Sequence, residues 1–292
     1  MEDERINKLW NFGDPAGTEA RFVEVLGRAD YAPGTAARAE LMTQIARSQG
    51  LQRKFDEARR TLAEADALIG PLGDAGKVAR VRWHLERGRT DNSSKTGDRG
   101  RADFLKALEL AQAAGEENLA GDAVHMLAII EPPDAALEWS HRGIRMAEEA
   151  KSEKAKGWLG PLYNNTGWTY HDRKEYTKAL ALFEQSLSFR TEKKQEAEIR
   201  IAKWTIARCL RSMGRLEESL ARQQALHTEF EAAKKTDGYV LEELGECLLA
   251  LNRGGEARPW FAKAHAELCK DDWLTANEKP RLDRLAELGK PL

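Results

Sequence analysis

The run LYNNTGWTYHD at 162–172 gathers two asparagines, a tryptophan, a histidine and an aspartate. Those types can hold a polar chain, stack on a planar group or move protons. His171 and Asp172 do not make an acid–base dyad, because adjacent residues on a helix point about 100° apart; Asp172 is read as a helix-ending residue. Further on, WTIARCLRSMG places Arg208 and Arg211 three residues apart, on one helix face, one turn after Trp204. A guanidinium is planar and grips carboxylate or phosphate with paired N–H bonds. His125 is a second candidate proton carrier. Neither it nor His171 is accompanied by an HExxH motif or a Cys/His cluster, so no metal or cofactor is expected. No Ser or Cys sits in a nucleophile elbow, and the chain reads as non-enzymatic. The stretch GPLGDAGKV at 70–78 imitates a phosphate loop. Its glycines are one residue too far apart, Val78 replaces the hydroxyl residue, and no strand precedes it.

The elements positioning these residues must be helices. The chain has 292 residues, 41% apolar and 32% charged, in an alphabet rich in Ala, Leu, Glu, Arg and Lys. A formal charge of −2 gives no basic footprint for nucleic acid or an anionic membrane. There is no apolar run of about 18 residues to span a bilayer. The start, MEDERINKLW, lacks the basic-then-apolar order of a signal peptide. Cys209, Cys247 and Cys269 have neither metal spacing nor a disulfide pattern, so they are expected as reduced thiols in a cytoplasmic protein.

Internal similarity sets the architecture. YNNTGWTYHDRKEYTKALALFEQSL aligns with EELGECLLALNRGGEARPWFAKAH when Gly167 is placed on Gly245; Ala179 then meets Ala257 and Phe183 meets Phe261. The same frame recurs around Ala46, Gly88, Val124 and Ala207, with a period of roughly 40 residues. Each copy reads as two amphipathic helices broken at a polar or Gly/Pro turn: Gly50–Arg53, Asn92–Gly97, Pro132–Pro133, Asp172–Lys174, Met213–Gly214 and Asn252–Gly255. One hairpin leaves an apolar face bare, and stacking buries it. The offsets of Gly167, Tyr170, Ala179 and Phe183, and of Leu244, Gly245, Leu248, Ala257, Phe261 and Ala264, resemble the tetratricopeptide repeat of bacterial-type proteins. The resemblance implies an all-α solenoid of stacked helical hairpins in a right-handed superhelix. The expectation is a single solenoid over 1–292, with a degenerate hairpin at 1–30, about six repeats over 38–269 and a capping helix at 275–288.

Setting each central small residue at zero, offsets −3, +1 and +4 fall on a face away from the packing stripe. The resemblance implies that this face lines a concave groove. It carries Arg89, Asn92, His125, Asn164, Trp168, His171, Trp204, Arg208, Arg211, Glu242 and Glu246. It also carries Arg47, Thr43, Leu85 and Gly121, and no lysine. Trp and Arg are the types favoured at binding hot spots. The resemblance further implies that Asn164 holds a bound peptide's main chain. The lysine-and-asparagine carboxylate clamp of chaperone-binding members is missing. The expected function is therefore a non-catalytic scaffold or adaptor binding a protein or peptide segment. Trp168 and Trp204 are expected to anchor it, Asn164 and Asn92 to bind its backbone, and Arg89, Arg208 and Arg211 to pair with an acidic segment or a free C-terminal carboxylate. The alternative is a sensor binding a small anionic ligand or signalling peptide, with chemistry at His125 and His171. Stacking of single-stranded nucleic acid on the tryptophans is opposed by Glu242, Glu246 and the near-neutral charge.

Overall fold

The computed structural model describes residues 3–96, 98 and 100–290. Gly97, the end of the expected Asn92–Gly97 turn, lies outside them, as do the first two and last two residues of the expected 1–292 solenoid. The chain is all-α. Helices α1 (Glu4–Asn7) and α2 (Pro15–Leu26) precede the hairpin of α3 (Ala36–Leu51) and α4 (Phe55–Ile69). Then come α5 (Lys77–Ser94) with α6 (Arg101–Ala114), and α7 (Glu117–Ile130) with α8 (Pro133–Glu149). A short α9 (Glu153–Lys156) leads to α10 (Leu159–Asp172) with α11 (Tyr176–Glu192). The pairs α12 (Glu196–Ser212) with α13 (Leu216–Ala232), and α14 (Gly238–Ala250) with α15 (Gly254–Leu268), follow. The end differs from the single helix expected at 275–288. It is two helices, α16 (Asp272–Asn277) and α17 (Lys279–Leu288), broken at Glu278 just ahead of Pro280. Contacts gather into two compact units that divide within α10, residues up to Leu162 and residues from Tyr163 on.

The turns follow one chemical rule. Seven residues after the central small residue, the backbone turns left-handed at Arg53, Lys95, Lys174, Gly214 and Asn252. The next amide reaches back to a carbonyl five residues earlier, as in Lys54 N to Gln49 O at 3.0 Å, Glu175 N to Tyr170 O at 2.9 Å and Arg253 N to Leu248 O at 2.9 Å. These are Schellman closures, which satisfy the carbonyls a helix end leaves bare. Only the α7/α8 turn departs: Glu131 stays extended and Pro132–Pro133 stops the helix instead.

Packing inside each hairpin rests on volume complementarity. The residue sixteen positions after the central one comes from the second helix and is buried: Phe104, Phe183 and Phe261 where the first is Gly88, Gly167 or Gly245, and Leu62 where it is Ala46. A methyl group on Gly88 or Gly245 would come within 2.7 Å of Phe104 or 2.8 Å of Phe261, and one on Gly167 would collide with Phe183. The bare backbone is the seat for the ring. In unit 2 the Ala207 hairpin places Gln223 at this position, fully buried, with neither Oε1 nor Nε2 hydrogen-bonded among the described residues. An unsatisfied buried amide costs about 1–3 kcal/mol. Gln223→Met, of similar length, is therefore expected to raise stability by about 1–2 kcal/mol, read as a higher urea midpoint at unchanged slope. A lowered midpoint would mean that the amide has a partner in solution.

Candidate functional site

The expected binding face divides between the two units, and in each it is largely neutralised from within. In unit 1, Arg47 of α3, Glu86 and Arg89 of α5, and Asp122 of α7 form one ionic network. Arg89 lies 2.6 Å from Glu86 and also pairs with Asp122, while Arg47 is 3.4 Å from Glu86. Glu86 is 2% exposed, so these charges hold one another in place of solvent. Burial alone would raise the Asp122 pKa; Arg89 and Arg47 overcome this and hold it below the usual carboxylate range. Arg89 is pushed up by Asp122 and Glu86 against its own burial. The Arg47 guanidinium also lies 5.6 Å and 5.4 Å from the stacked rings of Trp10 and Phe12. Thr43, Leu85 and Gly121, expected on this face, are buried. Gly121 is the bare spot against which the Trp158 indole packs, and that indole donates to the Asn118 carbonyl at 2.9 Å. Asn92 is half-buried in the last turn of α5, where its carbonyl accepts the Lys95 amide.

The His125 ring lies 5.1 Å from that of Trp158, tilted by 38°. Burial is the main reason that its pKa falls to about 4; Asp122 opposes that, and Arg89 and Arg47 add to it. The sign of the linkage follows. An unfolded histidine takes a proton near pH 6.5 and the folded one does not until about pH 4, so this group contributes fully above 6.5 and its contribution is lost as pH falls toward 4. His125→Gln is expected to shrink the loss of urea midpoint between pH 7 and pH 5. An identical loss in wild type and variant would show that His125 does not titrate in this window.

In unit 2, Trp168 is half-buried and faces Phe183 at 5.2 Å, Trp204 at 6.1 Å and His171 at 5.0 Å. It is as much a packing residue as a surface one. Asn164 donates to the Asn165 side chain at 3.1 Å. His171 Nε2 meets the Ser212 hydroxyl at 2.9 Å, and Arg208 donates to the same hydroxyl at 2.7 Å. Burial first, then Arg208, lower the His171 pKa. A neutral ring accepting the Ser212 proton fits all three groups.

Arg208 and Arg211 converge on a residue absent from the sequence-level set. Glu243, 5% exposed, lies 3.0 Å from Arg208 and takes a two-pronged grip from Arg211 at 2.8 and 2.9 Å. Glu242 and Glu246 turn to the C-terminal helix: Arg281 bonds Glu242 at 3.0 Å and Arg284 pairs with Glu246. Arg208 and Arg211, expected to pair with an external anion, have internal partners here, as Arg89 has. Each is already matched by a carboxylate that its own fold supplies.

What remains open on this face lies one to two turns earlier on α12. Ile201, Trp204, Phe230, Tyr239 and Val240 line a cavity of about 430 Å³, with Arg200, Lys235 and Asp237 beside them. Ile201 is 58% and Tyr239 38% exposed. The Trp204 indole donates to the Tyr239 carbonyl at 3.2 Å, which fixes the ring as a wall. Among the described residues no group of His, Cys, Asp and Glu could hold a metal ion, and no helix is long and apolar enough to cross a membrane.

No family model and no curated protein matches the chain. Solved structures do. The apo form of RapI superposes with a TM-score of 0.68 at 13% identity, over 92% of this chain and 77% of RapI. A signal-transduction ATPase with a tetratricopeptide repeat sensor from Pyrococcus horikoshii gives 0.68 at 14% identity, over 95% of this chain but only 42% of that protein. NprR in complex with its cognate peptide NprX gives 0.60 at 15% identity, over 98% of this chain and 82% of NprR. The chain has a tetratricopeptide-repeat-like fold. Arg200, Ile201, Tyr239, Glu243, Arg281 and Arg284 escaped the reading of the face. Arg200 and Ile201 lie seven and six residues before Ala207, more than one helical turn from it. Glu243 lies at offset −2, midway between the two stripes.

Proposed function

We propose that this chain is a non-catalytic interaction scaffold that binds a protein or peptide segment, with its anchoring place at the Ile201–Trp204–Tyr239 cavity of unit 2. The observation that carries this reading is the contrast on one face. The ionic groups there are saturated by internal partners, whereas an apolar, aromatic-walled cavity stands open. Exposed Ile and Tyr beside a fixed indole are the materials of a binding hot spot. That NprR, of similar fold, was solved with a cognate peptide supports the reading. His171 is engaged with Ser212 and Arg208, and His125 lies neutral against Trp158, so no reaction is assigned to them. A cytoplasmic setting fits a chain whose three cysteines are unpaired thiols.

The test is a quantitative pull-down from source lysate with wild type, Ile201→Ser and Trp204→Ala, their helix content matched by circular dichroism. Partners retained by wild type are expected to fall about thirtyfold with Trp204→Ala, the loss of an anchor contributing about 2 kcal/mol. Ile201 is mostly exposed, so its variant separates a binding effect from a folding one. An unchanged partner set with both variants overturns the assignment.

A further inference from the structure

Within unit 1, the start of the chain lies over the face that unit 2 leaves open. Six positions before the central small residue, a helix side chain points within about 20° of the +1 position. In unit 2 those positions are Ile201 and Tyr239, which line the open cavity. In unit 1 they are Glu40 of α3 and Arg82 of α5, and residues 3–10 cross both. The Asp3 amide donates to Glu40 at 3.0 Å, and Arg82 donates to the Asn7 side chain at 3.3 Å. The Trp10 indole donates to Gln44 at 3.2 Å. Glu4 reaches Lys154 of α9 at 3.4 Å. Ile6 is the apolar anchor, fully buried in one cluster with Phe22, Leu41 and Ile45.

The segment is held by side chains rather than stacked as a hairpin helix. Among the described residues, the backbone–backbone hydrogen bonds of 3–10 stay within 3–10. Its helix, α1, is four residues long. The chain is pinned just behind it, where Asn11 and Thr18 exchange bonds at 3.1 and 3.0 Å and Arg21 donates to the Leu9 carbonyl at 3.2 Å. The seat is also imperfect: Asn7 Nδ2 is buried without a hydrogen-bond partner, and an unpaired buried donor weakens the hold.

We propose that residues 3–10 are a strap over a second docking surface, on α3 and α5, and that an external segment of the same chemistry displaces it. This goes beyond the unit 2 cavity and does not depend on it. The partner segment carries an acidic residue, an aliphatic residue two positions later, an amide directly after it and an aromatic residue three positions further, as Glu4, Ile6, Asn7 and Trp10 do. The acid meets Lys154, the aliphatic side chain takes the Ile6 seat, and the amide and the ring meet Arg82 and Gln44. No free chain end is needed.

The test uses the full-length chain in two measurements. The first is native-state hydrogen exchange of wild type. The amides of Ile6, Leu9 and Trp10 are expected to exchange at least about tenfold faster than those of Leu41 and Ile45, through an opening that leaves α3 folded. Equal rates through one shared opening would make the segment an inseparable part of the fold and overturn the proposal. The second is fluorescence anisotropy with a labelled peptide of residues 3–12, blocked at both ends. It is expected to bind Ile6→Asp, whose strap carries a charge that the apolar seat rejects, at least about tenfold tighter than wild type. The same peptide carrying Ile6→Asp is expected to bind neither protein. No binding to an Ile6→Asp chain with wild-type helix content overturns the proposal, as does equal binding to both chains. Should Ile6→Asp fail to fold, the exchange rates of wild type decide alone.

Discussion

Replacing Phe183 by alanine is expected to destabilise unit 2 by about 3–5 kcal/mol, the cost of an emptied aromatic site in a core. The ring is fully buried between Gly167 on α10 and the α12 residues Ile206 and Leu210 of the next hairpin. It therefore holds its own hairpin together and joins it to its neighbour. Gly167 cannot move in to fill the space, having no side chain. The loss is read as a lowered urea midpoint followed by circular dichroism, with Trp168, 5.2 Å away, as one of the chain's eight fluorescent reporters. The pair can also be exchanged. Gly167→Ala alone overpacks the ring at about 1–3 kcal/mol and Phe183→Leu alone opens a gap. Together they recreate the Ala46–Leu62 pairing and should cost clearly less than the sum of the two singles. A Phe183→Ala loss below about 1 kcal/mol would mean that the hairpins collapse onto the gap and that the glycine seat does not set their spacing.

This pairing explains why the fold was legible. A solenoid needs each hairpin to present the same volume at the same place. Gly167 with Phe183 and Gly245 with Phe261 therefore recur at one spacing, and one-dimensional alignment detects them. The turns were legible for a related reason. A Schellman closure fixes where the left-handed residue falls, even when Lys174 or Asn252 rather than glycine occupies it. The C-terminal break at Glu278 was not legible, because TANEKPRLDRLAEL carries a helical pattern across it and only Pro280 hints at an interruption.

The site was legible only as a face. Helical periodicity placed Trp204, Arg208 and Arg211 together, and the structure brings them together in unit 2. It could not supply their partners, which depend on the tilt between successive hairpins. Glu243 reaches the arginines from the following hairpin, while Arg281 and Arg284 arrive from a helix more than thirty residues further along. A guanidinium already matched by a buried carboxylate and one left over an aromatic ring look identical in sequence.

Glu243 decides between those two states for Arg208 and Arg211. Glu243→Ala is expected to cost about 2–3 kcal/mol, just under the ~3–5 of a wholly buried pair, because the two arginine side chains left behind keep 27% and 20% exposure and recover some hydration. The loss should change little with added salt, since the missing carboxylate is shielded from counter-ions by burial. Glu243→Gln keeps the shape and one acceptor and should cost less. Pairing Glu243→Leu with Arg211→Met should recover part of the loss, because an apolar contact replaces a desolvated charge. The same variants bear on binding. With Glu243 gone, two guanidinium groups become available on the face that carries Trp204, and acidic peptides should bind Glu243→Ala more tightly than wild type at low salt. If stability and acidic-peptide binding are both unchanged, Glu243 does not hold Arg208 and Arg211 in the native protein, and the internal pairing assigned to them is overturned.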